Sequence, residues 1–411
     1  MVKGLVLAII LVAIAFTYWR PLRHVRTALG LDHLIATGHA FLILGFLLGL
    51  VFGERPTPLA VDLSPVVAFV AGWFGFATGM GFDVRVLRTI PGRIMAAALF
   101  PAVFAAIAIG LVGGSLLLFV ISPTEALAGA LVLAAAAASS GPTLVAMIRA
   151  RRPGRSSRAR PVLRMIEFSA GIDEIVVVLL AMLAFAMFRT VPEPIAPIWL
   201  IAIGIGGGSL LGGVTWLFLG GRATEDERLL LGLGMLAFIA GFAGWLHLSP
   251  AGVAAISAMV LVNLPGERMA QLLRAVRRVE RPAVVILMTV IGFHLTGGLT
   301  WAFLPLLFAM TILRLAVKRW AGNLVQGAVN TPGLKTSHRW GDGLAPQGSL
   351  GLMVTLSFFH VWSNDIARTV LGAVAAASLI NELLAPALFL RLLKGITGPG
   401  SSNKPRPEQA A

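Results

Sequence analysis

Cysteine is absent from the 411-residue chain, so disulfides, thiol chemistry and cysteine-based metal sites are excluded from the outset. Charge is scarce too. Charged residues make up 12% of the sequence against 57% hydrophobic, with a mean hydropathy of +0.89. A soluble globular domain carries roughly 25% charged residues, so this composition belongs to an all-α integral membrane protein. There is no phosphate-cradling P-loop to suggest ATP coupling, no HxxxH or His/carboxylate cluster to hold a metal, and nothing that implies a cofactor or an enzyme. The net charge of +15 does not indicate a nucleic-acid partner, because the basic residues lie between apolar runs and form no continuous stripe.

Apolar runs fill the rest. A bilayer crossing needs about 17 to 25 predominantly apolar residues. Such runs predict about 13 transmembrane helices, near 4–19, 36–53, 64–82, 94–119, 126–148, 162–188, 196–219, 229–246, 249–263, 282–298, 300–320, 344–361 and 367–393. The first ends in "AFTYWRP" without a small-residue cleavage site, so it reads as a span and not as a signal peptide. With the N-terminus outside, 28 of the 33 Lys and Arg fall in inside loops and four outside, leaving Arg314 within a span. That asymmetry follows the positive-inside rule and predicts a multi-pass protein of the cell (inner) membrane with its C-terminus in the cytoplasm.

Against this background "EFSAGIDEIVVVLLAML" stands out, because Asp173 and Glu174 are adjacent within a span. Asp173 is about nine residues past Arg164, which at 1.5 Å per residue is roughly 13 Å into the bilayer. A charge there costs at least about 2.5–3.5 kcal/mol, so the pair needs a basic partner, a proton or a bound cation. Neighbours on a helix point about 100° apart, so one carboxylate can face a cavity and the other a partner helix. The competing reading is an interhelical salt bridge that only fixes packing. Arg314, in "LLFAMTILRLAVKRW", is the deepest basic residue and the expected charge partner, whereas Lys318 is placed to snorkel to the interface. Glu167 and Glu382 are the other acids within spans, and His39, His294 and His360 read as packing or interface residues.

Two interruptions complete the pattern. In "LVLAAAAASSGPTLVAMI", Gly141 and Pro142 break the helix, and Ser139, Ser140 and Thr143 set oxygens beside the freed carbonyls, a set that suits a hard cation. A Pro kink of purely structural use is the alternative. Seven spans later "GDGLAPQGSLGLMV" repeats the Pro/Gly interruption, with Gln347 as its polar residue. An odd offset reverses direction, and paired interruptions in opposed halves predict inverted repeats with two crossed broken helices. At membrane depth such breaks persist only inside protein or beside a water-filled cavity.

In these residues the chain resembles the monovalent cation:proton antiporter superfamily, in the branch of bacterial sodium/proton and Kef-type potassium/proton antiporters. "GWFGFATGMGFDVRVLR" is similar to that family's third-span signature, "SSGPTLVAM" to its broken-helix motif and "GIDEIVVVLLAML" to its paired-acid span. "LSPAGVAAISAMVLVN", "VIGFHL" and "NELLAPALFLRLL" resemble later stretches, so the likeness runs over about residues 36 to 393. Relatives commonly carry Asp-Asp, Asn-Asp or Gln-Asp where this chain has Asp173-Glu174. Aligned on "IVVVLL", Glu174 takes the carrier position and Asp173 the variable one. Gln347 stands where Kef-like relatives often have Arg, and Arg314 matches a position that is Lys or Arg.

The resemblance implies a secondary antiporter exchanging Na+ or K+ for H+ by elevator-type alternating access, as a homodimer. It divides the chain into N-terminal scaffold helices (1–93), the first half of a transport core (94–188), a linker helix (189–228), a second scaffold part (229–298), the second half of the core (299–394) and a cytoplasmic tail (395–411). The rival expectation is a sodium-coupled transporter of a small organic anion on a similar inverted-repeat fold, which calls for more polar residues near both breaks than "APQGSLG" offers.

Overall fold

The computed structural model describes residues 32–52, 56–143, 145–146, 159–188, 196–219, 224–265, 269–297, 299–328 and 340–397. The predicted span at 4–19, most of the basic loop after residue 148 and the end of the tail lie outside the described residues. Every regular element within them is helical. The principal helices are α1 (His39–Phe52), α2 (Pro56–Gly79), α3 (Gly92–Leu118), α4 (Pro123–Ala138), α5 (Ala159–Met187) and α6 (Pro197–Leu219). They continue as α7 (Glu225–Trp245), α8 (Pro250–Asn263), α9 (Met269–His294), α10 (Phe303–Phe308, a π turn Ala309–Leu313, then Arg314–Ala328), α11 (Ser349–Trp362) and α12 (Asp365–Thr397). Each overlaps one of the predicted spans. Segments within α3, α5, α6 and α12 are both long and apolar enough to cross a membrane.

Local chemistry sets the ends. Thr224 and Glu227 form a capping box at the start of α7: Glu227 Oε2 accepts from Thr224 N at 2.7 Å, and Glu227 N donates back to Thr224 Oγ1 at 3.4 Å. Ser249 caps α8 by accepting from Gly252 N at 3.1 Å, with Pro250 at the first turn, where its missing N–H costs nothing.

The helices pack as two groups. In one, α3 lies along α4, α4 against α5 and α11, α10 against α3, and α12 against α11 and the first turns of α10. In the other, α2 lies on α8, α1 on α9, α6 on α8 and α7 on α2. The small residues of the "GFATGMGF" stretch serve the second group, because a Cβ at Gly75 or Gly79 would collide with the carbonyl oxygen of Ala251 or Ala255 on α8. Contacts between the groups run chiefly from α2 to α11 and from α5 to α6 and α8.

Candidate ion-binding site

Both predicted breaks are present, and they meet. α4 stops at Ala138, Ser139 turns extended (ψ 131°), and a helical turn resumes at Thr143. In the second segment a short 3-10 turn, Trp340–Leu344, gives way to an extended stretch before α11 begins at Ser349. Gly141 N donates to Pro346 O at 3.0 Å, tying the two extended segments together. Gln347 Nε2 reaches across to Ala136 O at 3.1 Å. A Cβ at Gly348 would run into Ser139 Oγ, so this crossing needs a glycine on its second strand.

α10 supplies two cations to the crossing. Arg314 is fully buried, and its guanidinium donates to Ala137 O (3.0 Å), Ala345 O (2.9 Å), Ser139 O (2.7 Å) and Pro346 O (3.4 Å). It thereby satisfies backbone oxygens from both broken segments. One turn on, Lys318 is also buried; its Nζ lies 3.7 Å from Asp173 Oδ2 and donates to Ala138 O at 2.7 Å and Ser140 Oγ at 2.5 Å. Two expectations change here. The ion-pair partner of Asp173 is Lys318, not Arg314, and Lys318 does not snorkel. The carbonyls freed by the break are not left open for a cation, because Arg314 and Lys318 already occupy those of residues 137, 138 and 139.

The two adjacent acids diverge as helical geometry requires. Asp173, 2% exposed, faces Lys318 and the crossing. Glu174 is partly exposed and faces α2, where it accepts from Thr78 Oγ1 at 2.7 Å. The charged groups acting on Glu174 are Asp173 and Glu280 of α9, both acidic. Glu174 is therefore a carboxylate held by a neutral hydroxyl at the boundary of the two helix groups. Among the other predicted residues, Ser139 and Gln347 are buried at the crossing, with no hydrogen bond to Ser139 Oγ or Gln347 Oε1 among the described residues, Pro142 is exposed, and Thr143 is half-buried.

The architecture has solved counterparts. The structure of the sodium proton antiporter MjNhaP1 from Methanocaldococcus jannaschii at pH 8 is similar to this chain with a TM-score of 0.64, covering 94% of this chain and 100% of its own at 12% identity. The fold is that of a sodium/proton antiporter. An electron-microscopy structure of the same antiporter aligns with a TM-score of 0.60 at 13% identity, covering 97% of this chain and 99% of the other. No protein-family model and no curated protein sequence matches the chain. Likeness at this identity lies in the fold, and roles for individual residues come from the geometry above.

Lys318 was not expected as a site residue, and neither was Thr78, although Thr78 lies within "GWFGFATGMGFDVRVLR". The i, i+4 spacing of Arg314 and Lys318, which puts both on one helix face, was the available signal for the first.

Proposed function

We propose that this protein is a secondary antiporter, not an enzyme, that exchanges a monovalent cation, Na+ or K+, for H+ with Glu174 as the carrier. The observation that carries this reading is the division of labour in the acid pair. Lys318 neutralises Asp173, while Glu174 accepts from the neutral Thr78 hydroxyl and is in no ion pair among the described residues. A carboxylate in that position holds either a proton or a cation on the same oxygens, and that competition couples the two fluxes. Thr78 Oγ1 serves as a further oxygen ligand when a cation replaces its hydrogen bond. Lys318 ties Asp173 of α5 to the crossing, whose residues Ser139, Ser140, Gly141, Pro142 and Gln347 form the supporting frame together with Arg314.

The packing of α3, α4, α5, α10, α11 and α12 supports a transport core, and that of α1, α2, α6, α7, α8 and α9 a scaffold, consistent with elevator-type movement of one against the other. The same reading takes the chain as a homodimer of about 13-span protomers in the inner membrane, with the C-terminus cytoplasmic. The test is exchange in proteoliposomes carrying an imposed pH gradient, with Na+, K+ and Li+ added separately. Dissipation by at least one cation, lost in Glu174→Gln, is expected; a gradient that survives all three overturns the proposal.

A further inference from the structure

One buried acid has no role in the site above. Glu382 is 2% exposed, within the stretch of α12 long and apolar enough to cross a membrane. A carboxylate at such depth marks function or a partner. Its Oε1 lies 3.5 Å from His33 Nε2, and its Oε2 has no hydrogen bond among the described residues. His33 belongs to the short helix Asp32–Ala36 ahead of α1 and is 18% exposed, so it connects the buried carboxyl with the surface. One turn earlier on α12, Ser378 Oγ is 2.8 Å from His39 Nε2, which fastens the start of α1 to the same face.

The surrounding charges give Glu382 a consequence. Among the described residues, the titratable groups acting on it are His33 and, from α10, Arg314, with His39 one turn away on Ser378. The other ionisable groups near the crossing are engaged elsewhere, Lys318 with Asp173 and Asp342 with Arg319. Arg314 donates its hydrogen bonds to neutral carbonyls, and the negative charges acting on it are Asp173, which it shares with Lys318, and Glu382. With Glu382 ionised, Arg314 and Lys318 balance Glu382 and Asp173. With Glu382 protonated, the core carries one uncompensated positive charge.

We propose that Glu382 is a second proton-binding site, filled and emptied through His33 from the membrane face on which His33 lies, and that its protonation weakens cation binding at Glu174. In the transfer, the His33 Nε2–H bond breaks as the Glu382 Oε1–H bond forms, and the neutral imidazole regains a proton from water. The proposal rests on Glu174 as the cation carrier.

Two measurements test it. In proteoliposomes, the apparent KM for the transported cation is followed against the pH of the His33 side. Glu382→Gln, which mimics the protonated form, should raise KM at alkaline pH and lose part of the wild-type rise on acidification; Glu382→Asp should keep it. A Glu382→Gln protein with the wild-type KM and pH profile overturns the proposal. Independently of transport, infrared difference spectra of the purified protein between acid and alkaline pH should show a carboxyl band that Glu382→Gln removes and Glu174→Gln does not. His33→Ala should slow the phase of stopped-flow proton uptake that Glu382→Gln abolishes. If the wild type moves no cation, the antiport reading fails and the infrared band alone judges Glu382; its absence across the titration overturns the second site.

Discussion

Lys318 Nζ sits 3.7 Å from Asp173 Oδ2 with both side chains buried, and the same ammonium donates to Ala138 O and Ser140 Oγ. The contact joins α10 to α5 and to the end of α4, so one cation ties three helices at the crossing. Removing one partner of a buried pair typically costs about 3–5 kcal/mol. Lys318→Met should lower the melting temperature of the detergent-solubilised protein, and adding Asp173→Asn should restore part of the loss. Strictly additive losses in the double variant would sink the pairing.

The divergence of the acid pair gives a functional contrast. Glu174→Gln should abolish exchange while leaving the melting temperature near that of the wild type, because its partner Thr78 can still hydrogen-bond an amide. Asp173→Asn should keep residual exchange. Proteoliposome assays with matched insertion decide the matter, and a reversed outcome would make Asp173 the carrier.

Arg314 should behave as a structural clamp. A buried acceptor left unpaired costs about 1–3 kcal/mol, and Arg314→Ala strands acceptors on both broken segments. Arg314→Lys should rescue poorly, since a single ammonium cannot reproduce the spread of a guanidinium's donors. Chemical denaturation or thermal melts of the two variants would show it; full recovery with Lys would mean that charge alone matters.

The close approach at the crossing predicts a steric pair. Gly348→Ala should destabilise by roughly 1–3 kcal/mol, as overpacking does, because the new Cβ meets Ser139 Oγ. Adding Ser139→Ala removes the nearest obstacle and should recover part of the melting temperature, although Ser140 O remains 3.0 Å from that Cβ. No recovery would place the strain in the backbone.

The features legible in the sequence were those that break a rule of the membrane. Asp173 and Glu174 were conspicuous because charge is costly there, and Gly141-Pro142 and Pro346-Gln347-Gly348 because helices do not otherwise stop in lipid. Which of Arg314 and Lys318 meets Asp173 was not legible. The π turn at Ala309–Leu313 shifts the register of α10 immediately before Arg314, and depth counted along an ideal helix cannot anticipate where the crossing falls. The carbonyls beside Ser139 looked available for the same reason: their partners lie some 175 residues away on α10. Thr78 was hidden among glycines and alanines whose evident role is close helix packing, and its partner Glu174 is 96 residues distant.

The hydrogen bond from Thr78 to Glu174 also has a mechanical meaning. It runs from α2, in one helix group, to α5, in the other, so sliding of one group past the other must break it, at a cost of about 1.5–3 kcal/mol for a charged acceptor. A cation on Glu174 Oε2 competes with Thr78 for that oxygen, and a proton weakens the bond by removing the charge of its acceptor. On the proposed reading of Glu174 as the carrier, an empty carboxylate is the more tightly moored to its surroundings and an occupied one the looser, a simple guard against returning without cargo.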